Sequence, residues 1–354
     1  MAACATSKSW RCVSAEPEAL VWGLLDDRIG HQQQVRGVVR ALGAPHRLID
    51  LHYRLNLGPC DQLPLGLILH LTAETRARLQ PPWPDLVVAA GRRTAPVARW
   101  IKRASGGHSF LVQLMRPARL QGLDLVAIPA HDAPPTRGNV VATLGAPHPF
   151  DRASLDAAKG DLPAGARALP PPRFAVLVGG PSGSVRFDAH DEARLIAELS
   201  ALAAVARASL LITTSRRTPE RLASALVDAL AAPRFVHRFD GTAQNPLRAF
   251  LGAADRVVVT ADSASMLSEA AATGRPVHVF RPRHLPAKLR HLVDALTAAG
   301  YVQPWHADLP PTPPPLDEAK RLARLIHARA GPAKPTASQG QCSGVHEPPA
   351  LPPA

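Results

Sequence analysis

The 354-residue sequence predicts an α/β protein made of two Rossmann-like domains facing a cleft. Apolar runs of strand length alternate with helix-length stretches of mixed polarity, which is the order of a parallel sheet covered on both faces. The alternation breaks in a Gly-, Ala- and Pro-rich stretch at 151–173 and then restarts, which divides the chain in two. No uncharged apolar run approaches the ~18–20 residues of a spanning helix, so an integral membrane protein is not expected.

In the first half, ALVWGLLD at 19–26 reads as a buried strand, followed by a turn at Arg28-Ile29-Gly30 and a helix over 31–42. Further strands are expected at 47–51, 85–90, 109–114 and 124–128, with a helix over 96–104 after the turn GRRT. These make an N-terminal domain of 19–150. The stretch 151–173 ends in Pro170-Pro171-Pro172 and reads as a stiff linker.

The second domain, 174–305, repeats the logic. Strands are expected at 174–180, 209–214, 235–238, 256–260 and 276–280. Helices are expected over 188–206, 219–231, 246–253, 264–273 and 285–299. A Pro-rich segment and a helix over 316–330 make up 306–330, and this helix is expected to cross back to the first domain. Residues 1–18 read as a flexible N-terminus with no apolar secretory core, and 331–354, rich in Pro, Gly, Ser and Gln, as a disordered tail.

The formal charge is +13 and mostly arginine, since lysine stands only at 8, 102, 159, 288, 320 and 334. Two readings stay open: coding bias toward Ala, Pro and Arg, or a basic surface that draws phosphates, nucleotides, nucleic acid or anionic lipid headgroups. Cys4, Cys12, Cys60 and Cys342 form neither a disulfide framework nor a zinc motif, which suits a reducing cytoplasm.

In open α/β sheets ligands collect beyond the carboxyl ends of the strands, which directs attention to the residues there. Gly179-Gly180-Pro181-Ser182-Gly183 follows a strand, and its amides would reach an anion; a purely structural turn reads equally well. It lacks the Gly-Lys-Ser/Thr of a P-loop, which sets ATPases aside. In Ser215-Arg216-Arg217-Thr218-Pro219, Thr218 is expected to cap a helix opened by Pro219, while the paired arginines suit a diphosphate. The run Thr260 to Ala270 passes from strand to helix, and its small residues Ser263 and Ser265 suit a phosphate at a helix N-terminus. Glu269 reads either as a capping-box partner or half of an intrahelical salt bridge, or, since no cation stands at the neighbouring helical positions 265, 266, 272 and 273, as an acceptor of hydrogen bonds from a ribose diol. In the first domain His31 at a helix start reads as a general base or as a solvated residue; Asp27, the turn Gly91-Arg92-Arg93-Thr94, His131-Asp132 and His148 are further candidates.

Taken in order, DDRIGHQQQ (26–34), PDLVVAAGRRTAPVA (84–98), PAHD (129–132), TLGAPH (143–148), GGPS (179–182), TTSRRTP (213–219), Asn245-Pro246 and TADSASMLSEAAATGRPVHVF (260–280) resemble the mitochondrial-fission-protein-like family over about 19–305. Its bacterial members are described as glycosyltransferases or nucleoside-diphosphate-sugar epimerases. The second half is similar, more distantly, to the donor domain of two-domain, GT-B-like glycosyltransferases that build lipid-linked envelope precursors.

The resemblance implies a glycosyltransferase with a UDP- or GDP-type sugar as substrate; no DxD motif stands near the expected cleft, so metal independence and no cofactor are expected, in a cytoplasmic protein peripheral to the inner membrane. The resemblance carries over Gly179, Gly180, Ser182, Ser263, Ser265 and Glu269 as donor contacts, and Ser215, Arg216, Arg217, Thr218, Asn245, Thr260 and Met266, at neighbouring strand ends and helix starts, are expected to join them. On the acceptor side the resemblance carries over only Gly30-His31; from their place at strand ends, Gln34, Gly91, Arg92, Arg93 and Thr94 are expected beside Gly30 to meet a lipid-linked or saccharide acceptor, with His31 or Asp27 as base and no nucleic acid as partner. No acid stands in Met115-Arg116-Pro117, where many relatives place one before the proline. Two alternatives stay open: a nonhydrolysing sugar epimerase on the same fold, and a non-catalytic adaptor at a membrane surface.

Overall fold

The computed structural model describes residues 20–54, 68–183, 185–241, 245–305 and 314–330. The expectations for 1–18, for 331–354 and for most of the Pro-rich segment fall outside them.

The chain opens with β1 (Val21–Leu25), buried at every position as a strand covered on both faces requires. After it come α1 (Ile29–Leu42), β2 (His46–Asp50), α2 (Ala73–Arg78), β3 (Leu86–Ala90) and α3 (Ala95–Ala104), then β4 (Phe110–Leu114), β5 (Leu125–Pro129) and β6 (Val140–Thr143). All pair in parallel in the order β2-β1-β3-β4-β5-β6.

The second half contains α4 (Arg152–Ala158), α5 (Ala164–Arg167), β7 (Arg173–Val178), α6 (Ala189–Ala206), β8 (Ser209–Thr214), α7 (Glu220–Asp228) and β9 (Arg234–His237). It continues through α8 (Leu247–Ala253), β10 (Arg256–Thr260), α9 (Ala264–Ala271), β11 (Val277–Phe280), α10 (Ala287–Ala298) and β12 (Gln303–Pro304) to α11 (Glu318–Ala330). Its parallel sheet runs β12-β11-β10-β7-β8-β9, the doubly wound dinucleotide-fold order.

In each sheet the order of strand addition reverses between two adjacent strands, β1 and β3 in the first and β7 and β10 in the second. The residues beyond those four strand ends meet in one cleft, the place where such sheets bind ligands.

The expected linker is not one. Asp151 and Ser154 form a reciprocal capping box that starts α4, and Leu155, Leu162 and Ala166 are buried in the second domain's core with Phe250 and Val257. With few apolar residues per turn, their pattern in the sequence is too sparse to register. The edge strand β6 is only partly buried, and α2 and β12 are short, so none stands out in the sequence either.

Helix α11 does cross back. Leu322, Ala323 and Ile326 enter the first domain's core beside Val35 and Val38 of α1, and Glu318 Oε1 accepts the Leu144 amide at 2.8 Å. Among the described residues no helix is long and apolar enough to cross a membrane.

Candidate functional site

The cleft has two chambers that share Arg28, His31, Met115, Asp132 and Lys288. The larger is about 740 Å³ and the smaller about 610 Å³. Both lie within the size range of small-molecule sites.

On the C-terminal wall of the larger chamber, β10 ends and α9 begins. Ser263 caps the helix through the Met266 amide at 3.4 Å, and the amides of Ala264 and Ser265, ahead of the first helical bond, have no protein partner among the described residues. No acid stands in the first turn of α9, which leaves the positive end of its dipole for an anion. One turn on, Glu269 faces the chamber without a hydrogen bond or salt bridge among the described residues. It touches cleft water only in part, and desolvation pushes its carboxyl up to about 7. Met266, Arg216, Ser215 and Asn245 line the same wall. Asn245 is fixed by its Oδ1, which accepts from Thr213 Oγ1 at 3.3 Å and from the Leu247 amide at 3.0 Å.

The opposite wall is the N-terminus of α1, with Gly30, His31 and Gln34 in the lining. A Cβ on Gly30 would lie 3.3 Å from Ser265 Oγ, so the two helix ends nearly touch across the cleft. His31 Nδ1 is 2.7 Å from Asp26 Oδ2, whose side chain is 1% exposed, and Asp26 Oδ1 accepts the Arg28 amide at 3.1 Å. Nε2 of His31 is left without a protein partner among the described residues. Gly91 makes room for the ring: it has φ +84°, and a Cβ there would stand 2.5 Å from His31 Cε1.

Several expected contacts are corrected. Asp27 is 62% exposed and pairs with Arg93 at 2.8 Å; the carboxylate that meets His31 is its neighbour Asp26. The amides of Gly179 and Gly180 are already engaged, by Thr260 Oγ1 at 2.8 Å and Asp262 Oδ2 at 3.0 Å, so they do not cradle phosphate. The glycines are there for close approach, since a Cβ on Gly179 would fall 1.9 Å from Asp262 Oδ2.

Thr260 is thus a brace. Ser182 lies outside both chambers, where its backbone bridges to Val185. Thr218 does not cap α7, because its hydroxyl bonds the Val178 and Gly179 carbonyls and accepts the Ser215 amide instead. Arg217 lines the cleft but is held by the buried Asp262 at 2.8 Å, which leaves Arg216 as the exposed arginine of the pair. Thr94 is buried and donates to Ala90 and Gly91, while Gly91, Arg92 and Arg93 line the smaller chamber.

Of the other histidines, His148 is buried, bonded to the Phe150 and Leu316 carbonyls and held below its ordinary pKa by desolvation; it fastens the crossover rather than the site. His131 does line the larger chamber, half-buried beside Asp132 and Lys288, and desolvation lowers its pKa too. Lys288, paired with Asp132, and Leu289 bring α10 into the site, and nothing in the sequence pattern marks them.

Two parallel, doubly wound domains with opposed switch points define this as a two-domain Rossmann-like protein of GT-B architecture. The chain belongs to the mitochondrial fission ELM1 family, whose model matches residues 29–330. It is 30% identical over 277 residues to the mitochondrial fission protein ELM1 of Arabidopsis thaliana, covering 70% of this chain and 65% of that protein, so it spans just under two thirds of that relative's length. Among solved structures it is similar to the UDP-GlcNAc 2-epimerase of Methanocaldococcus jannaschii, with 13% identity, a TM-score of 0.47, and coverage of 87% of this chain and 99% of that one. It is also similar to MurG of Acinetobacter baumannii, with 18% identity, a TM-score of 0.42 and coverage of 91% and 96%.

Proposed function

We propose that the protein is a glycosyltransferase that moves a sugar from a nucleoside-diphosphate donor, held by the second domain, to a hydroxyl acceptor held by the first. One juxtaposition carries the reading: an unpartnered Glu269 behind the open N-terminus of α9 stands across one chamber from a histidine whose Nδ1 is fixed by a buried carboxylate. The Glu269 carboxylate accepts two hydrogen bonds from the ribose diol, a partner that this chain itself does not provide. The diphosphate lies against the free amides of Ala264 and Ser265 and beside Arg216.

Asp26 holds His31 with Nδ1 protonated, so Nε2 takes the proton from the acceptor hydroxyl. The hydroxyl oxygen then bonds to the anomeric carbon as the bond from that carbon to the phosphate oxygen breaks. Arg216 and the α9 amides meet the charge that develops on the departing nucleoside diphosphate. Aliphatic Leu247 and Leu289 line the chamber and limit water.

The test is incubation with UDP- and GDP-sugars, with and without saccharide or lipid-linked acceptors, following free nucleoside diphosphate and glycosylated product together. Coupled appearance of both supports the reading. Sugar interconversion without release of nucleoside diphosphate identifies an epimerase, and failure of every nucleotide to bind leaves a non-catalytic adaptor.

A further inference from the structure

The smaller chamber holds more positive charge than the chain itself neutralises. Of its acids, Asp26 is taken by His31 and the Arg28 amide, and Asp132 by Lys288. Of its other cations, Arg93 pairs with Asp27 and lies 3.8 Å over the Tyr53 ring, while Arg116 donates to the carbonyls of Asp132 and Ala133. Arg28 and Arg92 remain, both exposed in the lining and both with side chains that have no partner among the described residues.

A second observation has the same sign. The 14-residue helix α1 starts beside Arg28 with no side-chain cap and no acid in its first turn, so its positive end adds to theirs.

We propose that Arg28 and Arg92 form an anion subsite that takes a phosphate or diphosphate carried by the acceptor. Two guanidinium forks and a helix end outweigh the single charge of a carboxylate and match the charge and bidentate geometry of phosphate. That the anion belongs to the acceptor rests on the transferase reading; that an anion binds here does not. The subsite opens on His31, so a phosphorylated acceptor anchored in it brings its hydroxyl to Nε2.

Calorimetric titration with inorganic pyrophosphate at low salt, on the full chain, tests this with three variants: R28A/R92A, R216A, and R283A/R290A. The last removes equal charge from exposed arginines outside both chambers. Because neither the Arg28 nor the Arg92 side chain has a partner among the described residues, the double variant is expected to fold, and its melting curve checks that it has. R28A/R92A should weaken pyrophosphate at least tenfold while R283A/R290A does not. No binding to wild type, an equal loss in R283A/R290A, or a loss confined to R216A would each overturn the proposal.

Two further arms identify the source of the phosphate. Tighter binding of a short prenyl diphosphate than of a hexose 1-phosphate assigns it to a lipid carrier and the reverse order to a soluble sugar; both support the subsite when binding depends on Arg28 and Arg92. UDP and GDP, titrated into the same wild-type protein, report on the donor pocket separately. Their failure alone would sink the transferase reading and leave the anion subsite standing.

Discussion

Replacing Glu269 with glutamine separates what the carboxylate costs the fold from what it offers a ligand. Burial raises this carboxyl from the ordinary 4.5 to about 7, so between those values the folded chain keeps a proton that the unfolded chain has lost. Stability therefore falls as pH rises from about 4.5 to about 7 and stays lower above it. For a fully shielded group such a rise corresponds to ~3 kcal/mol; with cleft water reaching Glu269, about 1–2 kcal/mol is the reasonable scale. E269Q keeps the shape and removes the charge. At about pH 8 the apo variant should melt ~2–8 °C above wild type, and at about pH 4 the two should melt together.

Ligand binding should move the opposite way. Loss of a charge-assisted hydrogen bond costs about 1.5–3 kcal/mol, which weakens a nucleoside diphosphate ~10–150-fold. Thermal melts at both pH values, with and without UDP or GDP, read both effects from one plate. A variant that melts lower at both pH values would make Glu269 a structural partner, and one that binds nucleotide as wild type does would remove it from the ribose.

Other substitutions divide the catalytic from the structural residues. D26N leaves His31 without its anionic partner and should lower turnover at least ~100-fold with little change in donor affinity, measured as separate kcat and KM. R217A leaves Asp262 buried without its cation and should destabilise by about 3–5 kcal/mol in urea melts, whereas R216A should melt as wild type and weaken the donor. G91A combines a strained left-handed backbone with a clash at His31, so it should cost about 1–3 kcal/mol of stability and most of the activity.

Where sequence reading succeeded, the signal was local. VWGLL, LVVAA and SLLITT are buried throughout, and such runs mark parallel strands with boundaries good to a residue or two. Glu269 was legible because the absence of a cation at helical spacing is itself local, and the structure leaves it unpartnered in the cleft.

The choices between adjacent residues were not legible. Asp26 and Asp27 are the same residue type at the same strand end, and Arg216 and Arg217 likewise. Only the packing around them decides which is buried at Asp26 or held by Asp262. The glycines at 179 and 180 resemble a phosphate turn until Thr260 and Asp262, more than eighty residues away, are seen to take their amides. In 151–173 the composition suggested a connector, yet a few well-placed residues, Leu155 and Leu162 among them, were enough to fix it in the core.

If the wall formed by Ser263, Ser265 and Glu269 receives a nucleotide, the carboxylate of Glu269 must matter to its affinity. Isothermal titration of wild type and E269Q with UDP and GDP tests it most directly. Saturable one-to-one binding by wild type that is weakened at least tenfold in E269Q, and that weakens in wild type as pH drops below about 7, is the predicted outcome. Absence of heat with either nucleotide, or equal affinity in the two proteins, contradicts it.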